Sequence, residues 1–177
     1  MNPAFINTDD LKELGLINNN VEDSILRVII TRVQENIVHP ILGTSLYNRL
    51  CTGVNDTMSD PQGSNPLNSD EVNLMDNYII PLMVVACDRK SINATNYQIR
   101  NKGVGKGVDP NFQAVQESEN LRLDNDIRQD IVVSKNKLIG HLLDNCDLYP
   151  EYDQEECNYE NIKPQKKKSS GSTISLI

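Results

Sequence analysis

The sequence predicts a mainly α fold, a small helical bundle around a kinked central helix, and three observations carry that expectation. Val21, Ile25, Val28, Ile29, Val33 and Ile37 recur at the spacing of one broad face of a 3.6-residue helix. A dense apolar run from Leu74 to Cys87 follows the helix-start signal Ser69-Asp70-Glu71. Leu123, Ile127, Ile131, Leu138, Leu142 and Leu143 mark an apolar face on a third long segment that is otherwise polar.

Taken in order, a short helix is expected over Asp9–Leu14, with Thr8 as cap, Asp9 and Asp10 at its positive end and Gly15 as its stop. A second spans Val21–Val38, capped by Asn20 and ended by His39-Pro40, because a residue before proline is pushed out of the helical region. A third, Ser45–Thr52, is capped by Thr44 and closed by Gly53, and residues 53–68 then read as an exposed loop rich in Asn, Asp, Ser, Pro and Gly. Ser69 caps the central helix, and Pro81 kinks it by removing one backbone hydrogen bond and crowding the preceding turn.

Residues 97–109, YQIRNKGVGKGVD, break the helical pattern and read as a projecting extended arm or hairpin with a glycine-rich tip. A long helix from Asn111 or Phe112 to Cys146 follows; at about 1.5 Å per residue its roughly 35 residues would reach about 50 Å. The helical domain therefore covers 1–150, and 151–177 form an extended or disordered tail. That tail carries Lys163 and Lys166 to Lys168 after an acidic run, then ends in Thr173-Ile174-Ser175-Leu176-Ile177, apolar at alternating positions. An end of that kind can pair with a neighbouring subunit's sheet edge or groove.

Composition narrows the function classes. The 177 residues are about one domain's worth, 38% hydrophobic and 24% charged, as in a soluble globular protein. Two Phe, six Tyr and no Trp leave the core mainly to Leu, Ile and Val. Seventeen Lys and Arg against 25 Asp and Glu give a net charge of −8, which argues against DNA binding by the whole surface. The four cysteines form no CxxC pair, so a reduced compartment is expected. The N-terminus has no basic start followed by an apolar stretch, so no secretory signal is expected. The longest apolar run is about half a membrane span.

Chemistry-bearing motifs are missing. The segment Gly103-Val104-Gly105-Lys106-Gly107 invites a phosphate-loop reading, but Lys106 is followed by Gly107 instead of Ser or Thr, and a helix precedes it where a strand is needed. His39 and His141 lack Cys, Asp or Glu at i+4, the spacing of a helix-borne metal site. No GxSxG occurs, and Asp124, Asp126 and Asp130 read as a solvated helix face. No enzyme, no catalytic or metal residue, no cofactor and no membrane partner is expected.

The ordered set of segments resembles the head-to-tail connector (adaptor or ring) proteins of tailed bacteriophages, in particular those of Bacteroidetes-infecting and crAss-like phages. It rests on Ile41-Leu42-Gly43-Thr44-Ser45-Leu46-Tyr47-Asn48-Arg49-Leu50, similar to an LGxxLYxxL segment. It also rests on Tyr78-Ile79-Ile80-Pro81-Leu82 and on Asn101-Lys102-Gly103-Val104 before a long helix. It covers about residues 8–150. The resemblance implies a virion protein of the portal vertex, assembled in the host bacterial cytoplasm as a ring of about twelve copies. It implies the portal protein and further neck or tail proteins as partners, with DNA passing through the lumen without specific recognition. The candidate subunit or portal contacts are Tyr97, Arg100, Lys102, Gly103 and Lys106 of the arm and Ile174 and Leu176 of the tail. A net negative charge suits such a conduit, since a strongly basic lumen would hold the genome. A helical protein-binding regulatory module of a bacterial cytoplasm is the alternative the same composition allows.

Overall fold

The computed structural model describes residues 2–59, 65–100, 103–106 and 117–152. The chain is mainly helical: α1 (Thr8–Leu14), α2 (Asp23–Val33), α3 (His39–Ser59), α4 (Ser69–Leu74), α5 (Ile80–Asn96) and α6 (Glu117–Asp144). Two short strands, β1 (Tyr97–Arg100) and β2 (Gly103–Lys106), pair antiparallel between α5 and α6. Among the described residues, no helix is long and apolar enough to cross a membrane.

The caps stand one residue earlier than the expected Thr8 and Ser69. Asn7 caps α1, its side chain accepting from the Asp10 N–H at 2.7 Å, and Thr8 is already helical. Asn68 caps α4 and makes a full capping box: its side chain accepts from Glu71 N–H, and Glu71 accepts from the Asn68 N–H at 2.8 Å. Asn20 caps nothing, since α2 begins at Asp23 behind an extended Glu22. Gly15 does end α1, its N–H bonding to the Leu11 carbonyl at 3.0 Å.

His39-Pro40 does not end the second helix. A π-turn over Gln34–Val38 joins α2 to α3 without a break. The wider turn lets Pro40 stay helical: the carbonyl four residues back, Asn36, which the proline ring would crowd and cannot bond, falls inside the π segment. The break comes at Gly43, with φ 73° and ψ 164°, a conformation open in practice to glycine alone. Gly53 is not a stop either. Helix α3 runs on to Ser59, taking in residues expected to be loop, and a Cβ at Gly53 would sit 2.4 Å from a Leu67 methyl. The glycine is there for close packing.

A second π-turn, Met75–Ile79, precedes Pro81 and joins α4 to α5 in one continuous segment. Helix α5 is the centre of the bundle, packed between α2 and α6. Leu82, Met83, Ala86 and Cys87 are buried on it, opposite Leu26, Ile30 and Val33 of α2 and Ile127, Ile131 and Leu138 of α6. On α2 the burial falls on Leu26, Ile29, Ile30 and Val33, whereas Val28 is exposed; the buried face is rotated from the expected one. Helix α6, 28 residues long in the described part, spans about 42 Å. Of its expected core face, Leu123 and Leu143 are exposed and the other four residues are buried.

The folded chain continues past residue 150. Tyr149 is fully buried and donates to the Asp70 carbonyl at 3.1 Å, and Tyr152 is buried in the same core. The expected tail beyond it lies outside the described residues. A buried ion pair ties the first half to the second: Arg49 on α3 donates to Glu71 on α4 at 2.7 Å and to the carbonyls of Asn65 and Pro66. Glu71 is almost wholly buried, and both partners it needs are present.

Candidate interaction surface

The expected arm is a β-hairpin. Its register pairs Tyr97 with Lys106, Gln98 with Gly105, Ile99 with Val104 and Arg100 with Gly103. Because successive positions alternate across a strand, Tyr97, Ile99, Val104 and Lys106 share one face of the ribbon and Gln98, Arg100, Gly103 and Gly105 the other. One face is thus apolar with a single lysine. Lys102 at the turn, residues 107–109, and Ile174 and Leu176 of the tail lie outside the described residues.

The two helices that flank the hairpin are joined by charge. Asp124 of α6 accepts from Arg89 Nε of α5 at 2.9 Å and from Arg128 Nε, one turn on, at 2.9 Å. The hydrogen bond and charge of Arg89, then of Arg128, hold its carboxyl below the usual carboxylate range. Asp124, expected to be one of several solvated acids, is a clamp between the two helices that carry the arm.

Beside that clamp the turn between α1 and α2 leaves a cavity of about 340 Å³ against α5 and α6. Leu16, Ile17, Val21, Ile92, Leu123 and Ile127 form its apolar walls, and Asp88 lies among them. Asp88 is 7% exposed; its Oδ1 accepts the Leu16 N–H at 3.0 Å, fixing the turn to α5. Burial pushes its carboxyl up, only partly offset by that hydrogen bond. At the rim Leu16 is 76% and Leu123 42% exposed, and neighbouring Leu14 is 60% exposed. Exposed apolar side chains at the mouth of a cavity, Leu16 and Leu123 here, are a feature of interaction sites.

Sequence reading missed this surface. The available signal was Asp88 itself, an acid standing directly after the apolar run and on the helix face of Val84, Ser91 and Ile92. Leu14 and Leu16 fall in a segment too short for any periodicity to assign.

Elsewhere the polar clusters hold structure. His39 stacks on Tyr47 with ring centres 4.1 Å apart, and the Tyr47 hydroxyl donates to Glu35 at 2.8 Å and accepts from buried Gln34 at 3.0 Å. That hydroxyl, first, and the contacts of Asn2 and His39 hold Glu35 low, against the opposing effect of its burial. His141 stacks on Tyr78, also at 4.1 Å, with its Nε2 3.0 Å from the Tyr149 hydroxyl. Burial raises the thiols of Cys51 and Cys87, the latter to about 12, which suits packing and not nucleophilic attack. Among the described residues no three His, Cys, Asp or Glu side chains come together as a metal site would require.

These features describe a mainly helical domain that presents a hairpin and an apolar, acid-floored cavity at one end of its central helix pair. Residues 38–162 match the model of DUF6712, a family of unknown function, and the chain belongs to that family. No curated protein and no solved structure matches it.

Proposed function

We propose that this protein is a structural component of a bacteriophage virion, a ring at the portal vertex that joins the capsid portal to the neck or tail and extends the DNA channel. The observation that carries the reading is the hairpin at Tyr97–Lys106 between two paired helices, the position at which the connector resemblance puts an arm. A ring repeats one heterologous contact until it closes, and that contact needs two different surfaces on each copy. The hairpin and the exposed apolar rim at Leu16 and Leu123 are two such surfaces. The net charge of −8 is compatible with a lumen through which DNA slides.

Co-expression with the portal protein of the same genome, followed by negative-stain microscopy, tests it. A ring stacked on the narrow end of the portal is expected, and counting its subunits gives the copy number. Absence of any complex, with this chain running alone as a compact monomer, overturns it in favour of a regulatory protein-binding module.

A further inference from the structure

We propose that the cavity floored by Asp88 receives the hairpin of a second copy of this chain, with the apolar face of the ribbon on Leu16 and Leu123 and Lys106 as the cation for Asp88. The inference deepens the ring reading and rests on it.

Charge complementarity picks the occupant. The cavity has apolar walls and one charged group, a buried carboxylate, and no lysine or arginine among the described residues lines it. Residues 97–108 contain three cations and no acid, in a chain whose total charge is −8. The pairing register adds a sharper match. It places one cation, Lys106, on the same ribbon face as Tyr97, Ile99 and Val104. A lysine suits such a site because its methylene stem lies along apolar walls while the ammonium reaches the acid.

Stability and size point the same way. A lone two-stranded hairpin is marginal in water and gains from burying one face. Among the described elements, the hairpin's backbone neighbours are chiefly its own partner strand and the end of α5. At about 340 Å³ the cavity is near the lower end of the roughly 300–1,000 Å³ range of ligand pockets, room for a few side chains. The hairpin starts five residues beyond Ile92, a cavity residue on the same helix, so donor and acceptor lie at the same end of the domain. A head-to-tail series of arm into cavity therefore propagates around one rim.

The test uses the full chain, alone and with the portal, and two variants that leave the core untouched: Lys106→Glu on the arm, and Leu16→Glu with Leu123→Glu at the rim. Sedimentation and negative staining read assembly, and circular dichroism checks that the helices remain. Each variant by itself is expected to weaken self-association about tenfold or more. Mixed together they have one intact arm and one intact cavity, so a 1:1 heterodimer that grows no further is expected.

Variants that assemble as the parent does, alone or on the portal, overturn the proposal. So does a mixture that stays monomeric, and so does assembly lost on deleting residues 163–177 with the arm intact, which would give the cavity to the tail. A parent that assembles in neither setting removes both this proposal and the ring reading. Assembly through arm and cavity without portal binding removes only the portal reading, and portal-bound rings formed by both variants remove only this one.

Discussion

Pro40 and Pro81 each follow a π-turn that starts six residues before the proline and ends two before it: Gln34–Val38 and Met75–Ile79. Both carry an acid and an asparagine in the same places, Glu35-Asn36 and Asp76-Asn77. Both sit beside a stacked His–Tyr pair with ring centres 4.1 Å apart. Three residues after the proline they part. The first has Gly43 at φ 73°, and the helix breaks before running on; the second has Val84, buried and helical, and α5 continues to Asn96. The π-turn is how this chain carries a proline through a helix, and the residue one turn later decides whether the helix also changes direction. The first segment breaks before Tyr47 and Arg49, which reach other elements, whereas the second stays helical from Pro81 to the start of the arm.

The sharpest way to break that arrangement is at the tie between the two segments. Arg49→Ala strands the Glu71 carboxylate in the core and is expected to cost about 3–5 kcal/mol, read by urea denaturation. Adding Glu71→Gln to that variant should recover part of the loss, because Gln keeps an acceptor for the Asn68 N–H without the buried charge. A single variant with unchanged stability would mean the halves are held by apolar packing alone.

Next comes the residue that separates the two segments. Gly43→Ala forces a Cβ into a backbone conformation that L residues avoid and is expected to cost about 1–3 kcal/mol. If it instead leaves stability unchanged, the break is not fixed by Gly43 and the comparison with Val84 loses its basis.

How much of this was legible in the sequence depends on range. The helical class, the long apolar central helix and the hairpin follow from periodicity and from the cluster of glycines at 103, 105 and 107. The caps were open to reading but missed: Asn68-x-x-Glu71 has the capping-box spacing, which Ser69 lacks. The π-turns leave no local signal except the prolines, and prolines ordinarily mark an end. Gly53 looks like a stop until Leu67, far along the chain, is seen pressed against it. The cavity is assembled from the α1–α2 turn, α5 and α6, and an acid that is nothing unusual on one helix becomes a buried floor only when three elements meet.

The hydroxyls of the two clusters sharpen the comparison at a smaller scale. Tyr47→Phe leaves buried Gln34 with one partner fewer and is expected to cost about 2 kcal/mol. Tyr149→Phe removes a bond to the Asp70 carbonyl and a contact to His141, partners that are only half-buried and can turn to water, and is expected to cost about 1 kcal/mol. The reverse order in thermal melts would show that the second cluster, not the first, anchors its π-turn.

The smallest effect is a pH dependence belonging to the second cluster. His39 has Glu35 Oε2 3.3 Å from its ring, while His141 faces Tyr78, Tyr149 and Asn145, and burial lowers its pKa below the ordinary 6.5 against a weaker opposing pull from Asp144. With the folded pKa below the unfolded one, the unfolded chain takes up the proton first as pH falls. Stability attributable to His141 is therefore full above about pH 6.5 and declines as the pH drops through that value toward the folded pKa. His141→Phe keeps a ring for Tyr78 to stack on but cannot titrate, so its melting temperature should fall less than the parent's between about pH 7 and 5.5. Parallel curves would place the acid-sensitive group elsewhere than in the His141 cluster.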